Sequence, residues 1–211
     1  MNKNTLQART PLIEYLDLSP KPRLLNSYGV VLEELPFRTH INLRCDASNF
    51  NSLLNSKNIL GVELPLEPNT FRERLGRRVY WLGPNEWLVL AGVKDGEIKQ
   101  QLLERLKELN HSVTDLSGGQ TVIRISGANA RELLCLGCTL DFHSRVFAVG
   151  SCAQSLLADV PVIFCRIFDT LNKEARFELV VRRSYADHVA KWLIDSATYF
   201  GVVCDLGATS D

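Results

Sequence analysis

From Thr39 to Cys45 polar and apolar residues alternate, with Ile41, Leu43 and Cys45 on one face, which predicts a strand. Asp46 then stands where a cap belongs, ahead of a helix carrying Phe50, Leu53 and Leu54 inward. Residues 61–66 read as a short strand. Apolar runs at 79–82 and 86–92 flank Gly83-Pro84-Asn85, the pattern of a hairpin. Asp95 opens a second helix, with Ile98, Leu102, Leu106 and Leu109 as its buried stripe and Lys99, Glu104, Arg105 and Lys107 outside.

The second half repeats this order. Residues 121–126 predict a strand, and 128–136 a helix with Ala130, Leu133 and Leu134 inward. Residues 152–158 and 160–167 predict strands about a turn at Asp159, and 176–181 another strand. Ser184 and Asp187 have capping-box spacing before a helix carrying Val189, Trp192, Leu193 and Ala197. Two short alignments support an internal repeat. Residues 43–54 fall on 123–134 at an offset of 80, matching Leu43 with Ile123 and Asn49 with Asn129. Residues 87–103 fall on 177–193 at an offset of 90. The expected fold is therefore α+β and pseudo-symmetric, with antiparallel sheets and packed helices. Residues 37–111 form one repeat unit, 112–211 the other, and the halves join near 112–120. Residues 1–36 hold half of the eight prolines and little periodicity, so they read as an N-terminal arm that frays or orders on a partner.

Composition narrows the function. Lys+Arg and Asp+Glu both number 24, which leaves no global basic field for nucleic acid or an acidic membrane. Near-zero net charge suits a chain that lives associated. The longest apolar runs fall far short of the roughly 20 residues of a membrane span. The N-terminal sequence lacks a signal-peptide core and reads as unprocessed. Six cysteines without a secretion signal point to free thiols in a reducing cytoplasm.

Candidate chemistry is sparse. Gly118-Gly119 follows Asp115 but lacks the strand–GxGxxG–helix context of a nucleotide loop. The four histidines are scattered. Cys135 and Cys138 form a CxxC at a helix C-terminus, where the dipole disfavours thiolate, so buried, reduced, metal-free thiols are expected. No catalytic, cofactor-binding or metal-binding residue is assigned. Arg72, Arg74, Arg77 and Arg78 form a cationic run suited to an acidic partner or to a solvated hairpin. Trp81 and Trp87 bracket the turn that follows, able to seal a core or an interface. These six residues are the candidate interface.

The stretch Leu82-Gly83-Pro84-Asn85-Glu86-Trp87-Leu88 resembles a segment of the gamma subunits of heterotetrameric sarcosine oxidases. Thr114-Asp115-Leu116-Ser117, Val122-x-Arg124-Ile125-Ser126-Gly127 and Val149-Gly150-Ser151-Cys152-Ala153 resemble further segments in the same order. Gln154-Ser155 departs from the Arg-Thr pair expected there. The resemblance spans roughly residues 30–203. It implies a fold like the folate-binding domain of the glycine-cleavage T-protein and a structural, non-catalytic role. The chain would pack against an alpha subunit, with beta and delta subunits completing a complex that demethylates sarcosine to glycine and passes the one-carbon unit to tetrahydrofolate. FAD, FMN, NAD, zinc and tetrahydrofolate would serve that complex, none of them held by this chain. A free-standing folate-binding protein or aminomethyltransferase of the T-protein type is the alternative. An iron–sulfur accessory protein would need a Lys-Gly-Cys-Tyr-x-Gly-Gln-Glu signature that this sequence lacks.

Overall fold

A computed structural model describes residues 9–18, 28–168 and 174–206. Two sheets stack face to face, and each carries two helices on its outer face. The first sheet is built by β2 (Thr39–Cys45), β3 (Phe71–Arg74), β4 (Arg77–Gly83), β5 (Glu86–Ala91) and β6 (His111–Asp115), in the order β3-β4-β5-β2-β6. The second holds β1 (Val30–Leu35), β7 (Gln120–Ser126), β8 (Cys152–Leu157), β9 (Val160–Ile167), β10 (Arg176–Arg182) and β11 (Val202–Asp205), in the order β11-β1-β7-β10-β9-β8. Helices α1 (Phe50–Leu60) and α2 (Ile98–Leu106) cover the first sheet. Helices α3 (Ala130–Gly137) and α4 (Ala186–Ala197) cover the second.

The two units share one topology. In each, a strand leads through a helix to a three-stranded meander, then through a second helix to a last strand. Read from the β8 edge, the second sheet repeats the order of the first, with β1 inserted between β7 and β11. The aligned residues take equivalent places. Leu43 and Ile123 are both fully buried under their helices, Asn49 and Asn129 both precede the first helical turn, and Trp87 and Phe177 are both fully buried. In the second helices the buried positions Ile98, Leu102 and Leu106 match Val189, Leu193 and Ala197 at an offset of 91, so the connection gains one residue over the strands.

Strand alternation sets the layers. In β5, Trp87 and Val89 face the helices while Leu88 and Leu90 face the other sheet; in β10, Phe177, Leu179 and Val181 face the helices while Val180 faces the other sheet. The layer between the sheets gathers Tyr80, Leu88, Leu90, Val122, Cys152, Cys165 and Val180. The sheets are also stitched at one corner. Thr70 and Ser151 form an antiparallel bridge, the Phe71 amide donates to the Gly150 carbonyl (2.9 Å), and the Cys152 amide donates to the Asn69 carbonyl (2.8 Å).

Several expectations change. Residues 30–35 form a sheet strand rather than arm, and residues 112–115 lie in β6 of the first unit, so the units divide nearer 116–119. Of the arm, residues 1–8 and 19–27 lie outside the described residues, whereas Thr10, Leu12 and Tyr15 are buried on their own chain. Residues 61–66 are irregular, yet Val62 and Leu64 join the core. Asn49, not Asp46, caps α1: its Oδ1 accepts from the amides of Asn51 (2.9 Å) and Ser52 (3.2 Å). That start turns Ser52, Ser56 and Leu60 inward and leaves Phe50 72 % exposed and Leu54 39 % exposed. Ser184 makes no capping box. The Asp187 carboxylate instead accepts from the Tyr15 hydroxyl (2.7 Å) and pairs with Lys191 (2.8 Å). No helix among the described residues is long and apolar enough to cross a membrane.

Candidate functional site

The cationic run forms the β3–β4 hairpin, and alternation splits it between surface and interior. Arg72 and Arg74 are exposed, with Arg72 3.4 Å from Glu63. Between them and Arg77 the turn lifts Leu75 into solvent, at 82 % exposure. Arg77 turns back onto its own fold. Its Nη1 donates to the carbonyls of Ile59 (3.0 Å) and Leu60 (3.1 Å), and its Nη2 to Asp95 Oδ1 (2.7 Å). A cation thereby satisfies the last carbonyls of α1, where the helix end is negative. The same pairing holds the Asp95 carboxyl below its ordinary value.

Arg78 points between the sheets. It pairs with Glu73 (2.8 Å) and with Glu178, a fully buried carboxylate in the middle of β10. Arg124, from β7, approaches the other Glu178 oxygen with Nε (3.1 Å) and Nη2 (2.8 Å), and its Nη1 reaches Glu33 of β1 (3.0 Å). Glu178 thus neutralises two guanidiniums from opposite sheets at close range. Tyr80 lies fully buried in this layer, and burial pushes its phenol well above the usual range. Burial likewise pushes the Cys152 thiol up to about 12.

The two tryptophans face one another across β4 and β5. Trp81 is half-buried. Trp87 is fully buried, and its Nε1 donates to the Pro65 carbonyl (2.7 Å). Trp87 therefore seals the chain's own core and offers no area to a partner, contrary to its place in the candidate interface. The hairpin tip docks back as well: Asn85 Oδ1 accepts from the Ala47 amide (2.9 Å), and Glu86 from Asn42 (2.7 Å) and Arg44 (3.0 Å). Of the six candidate residues, Arg72 and Arg74 are exposed, Arg77, Arg78 and Trp81 are half-buried, and Trp87 is sealed.

The CxxC ends α3 as expected, but its thiols differ. Cys138 is buried, with Sγ 3.9 Å from Ser155 Oγ, whereas Cys135 is exposed, against the expectation that both are buried. Partial desolvation by its neighbours and then the Glu132 carboxylate hold this exposed thiol above its ordinary value. Among the described residues no group of three or more His, Cys, Asp or Glu side chains is placed to hold a metal.

A family model for the sarcosine oxidase gamma subunit family matches residues 44–199. The chain belongs to that family. A sarcosine oxidase subunit gamma from Corynebacterium sp. (strain P-1) is 30% identical over 174 residues, covering 81% of each chain. Among solved structures, the heterotetrameric sarcosine oxidase from Corynebacterium sp. U-96 in complex with pyrrole 2-carboxylate contains a chain with TM-score 0.82 and 25% identity. The match covers 97% of the present chain and 98% of that one. The glycine cleavage system aminomethyltransferase T from Bartonella henselae shares the fold, with TM-score 0.61 and 16% identity over 85% of this chain and 48% of that one.

The segments that resemble the gamma subunits hold the fold together in this member of the family. The Trp87 segment forms the β4–β5 turn, Arg124 is half of the buried ion network, and Gly127 is a close backbone crossing. The residues that sequence reasoning missed are Glu178, Glu33 and His40. His40 is fully buried in β2, both ring nitrogens lack a partner among the described residues, and burial pushes the imidazole down to about 4. The unfolded chain therefore binds the extra proton first, and His40 costs stability progressively as pH falls below about 6.5 toward 4. About 2 kcal/mol should be lost between pH 7 and pH 5, read as a lower urea midpoint, and His40→Leu should flatten that loss. Equal wild-type midpoints at pH 7 and pH 5 would disprove it.

Proposed function

We propose that the chain is a non-catalytic gamma subunit and that its work is assembly within a heterotetrameric sarcosine oxidase. The observation that carries this reading is the match to a chain of such an oxidase over nearly the full length of both chains. The internal chemistry agrees with it. Glu178 is consumed by two arginines, and Glu34 accepts from the hydroxyls of Thr10 and Thr121. Both buried acids thus serve the scaffold. In this reading the alpha subunit is the direct neighbour, and the beta and delta subunits complete the complex in the cytoplasm. FAD, FMN, NAD, zinc and tetrahydrofolate belong to the other subunits, which demethylate sarcosine to glycine and pass on the one-carbon unit. The contact surface runs over the exposed end of the β3–β4 hairpin, where Leu75 stands between Arg74 and Arg77 and beside Arg72.

Co-expression with the cognate alpha, beta and delta subunits should give a complex that survives gel filtration. Leu75→Asp with Arg74→Glu should cut the yield of that complex severalfold while leaving the isolated chain folded. The isolated chain should bind no flavin and oxidise no sarcosine. Failure to co-elute would remove the subunit reading. Flavin-dependent or folate-dependent turnover by this chain alone would replace it with the free-standing enzyme, whose fold it shares.

A further inference from the structure

We propose that the cleft between the arm, the β1–β2 turn and the β6–β7 turn binds a small oxyanion, a carboxylate or a phosphate, through Arg38 and Arg183 with help from Arg9. The cleft measures about 430 Å³, the size of a small-ligand site. These three arginines line it from three separate stretches of chain, and no carboxylate among the described residues pairs with any of them. Of the four hairpin arginines, Arg72, Arg77 and Arg78 each have an acid within 4 Å. Arg9 and Arg183 are exposed and Arg38 is half-buried, so an anion in the cleft would meet unpaired guanidiniums from three stretches of chain.

The surroundings favour an anion over a neutral guest. Two acids stand near the cleft: Glu34, buried, accepts from the side-chain hydroxyls of Thr10 and Thr121, and Asp115 accepts from the amide (2.9 Å) and hydroxyl (2.6 Å) of Ser117. Those two threonines and Ser117 line the cleft, so each carboxylate is engaged by a lining hydroxyl. Arg183 is oriented by its Nη2, which donates to the Arg9 carbonyl (2.6 Å), so the guanidinium keeps further N–H groups for a ligand. Phe37 lines the rim with φ of 55°, a left-handed conformation that a bulky residue adopts at a cost. Gly118 leaves the floor open, with no heavy atom within 4 Å of where a Cβ would stand. Of the Gly118-Gly119 pair, which lacks the context of a nucleotide loop, Gly118 thus has a place in the lining of this cleft.

The test is a calorimetric titration of the full chain with inorganic phosphate and, separately, with glutarate. Saturable binding of one or both is expected, and the arm that binds more tightly names the head group. Arg38→Gln and Arg183→Gln should each weaken binding about tenfold or more, as expected for loss of a charge-assisted donor. Arg72→Gln, outside the cleft, should leave it unchanged. Circular dichroism shows whether each variant is folded, and Arg9→Gln serves if one is not. No saturable binding of either anion at tens of millimolar overturns the proposal, as does full affinity in folded Arg38→Gln. The same titration on the assembled complex should retain the site. Loss of binding on assembly would mean that a carboxylate of a neighbouring subunit fills the cleft, and would overturn the small-ligand assignment. Assembly itself is read by gel filtration, so failure of the subunit reading is distinguishable from failure of this one.

Discussion

Glu178→Ala should destabilise the chain by about 3 kcal/mol, read from urea unfolding of the full chain. The wild-type carboxylate is fully buried and lies between Arg78 of one sheet and Arg124 of the other. Without it two guanidiniums remain between the sheets, their side chains 13% and 20% exposed, with repulsion in place of attraction. Glu73 and Glu33 keep a partial hold on them, which places the loss at the low end of the range for a broken buried pair. Adding Arg78→Met and Arg124→Met to Glu178→Leu should recover most of the loss, because an apolar trio leaves no unpaired charge. A single-variant cost below 1 kcal/mol would show that water already screens this layer. The same variant should lower the yield of the assembled complex, since Arg78 ties the hairpin bearing Leu75 to the second sheet.

That ion network explains what the sequence showed and what it hid. Glu178 stands between Phe177 and Leu179, and Arg124 between Ile123 and Ile125. A charge alternating with apolar residues predicts a strand with one wet face, and the strands are indeed there. The wet face is covered by a second sheet contributed by residues about 50 to 100 positions away, which no local period reports. The same limit explains β1. Its partners β7 and β11 lie roughly 90 and 170 residues along the chain, so Val30–Leu35 carried no sign of membership in the sheet. Trp87 was legible as large and apolar but not as inward, because both tryptophans flank one turn and only the β4–β5 register decides which is sealed. The repeat was legible because pseudo-symmetry places like residues in like environments. Its weak point was α1, where the cap fell at Asn49 rather than Asp46. With the cap at Asn49, Phe50 becomes the first helical residue, and the inward row is Ser52, Ser56 and Leu60, spaced four apart, which leaves Phe50 and Leu54 outside it.

Gly127→Ala should be among the most damaging single-methyl changes in the chain. Gly127 follows β7 and precedes α3, at a point where the start of β1 crosses beneath. There the Asn129 amide donates to the Gly29 carbonyl (2.8 Å), and the Gly29 amide donates to the Phe200 carbonyl (3.1 Å). A Cβ on Gly127 would lie 2.5 Å from the Gly29 carbonyl oxygen, 3.0 Å from its carbon and 3.2 Å from the Val30 Cα. All three are backbone atoms, so no side chain can swing aside. The φ of +113° is also one that residues with a Cβ rarely adopt. Conformational strain of about 1–3 kcal/mol and overpacking of about 1–3 kcal/mol act together, because relief requires β1 to slide against β7. The melting temperature should fall by roughly 10 °C for a chain of this size. Gly76→Ala supplies the comparison: its φ is +75°, and nothing lies within 4 Å of the added methyl, so only the conformational part, about 1 kcal/mol, applies. If the two variants lose equal stability, the crossing of β1 beneath β7 is not what requires glycine at 127. If Gly127→Ala loses two or three times as much, the glycine closing the Val122–Gly127 segment is there to let two backbones touch.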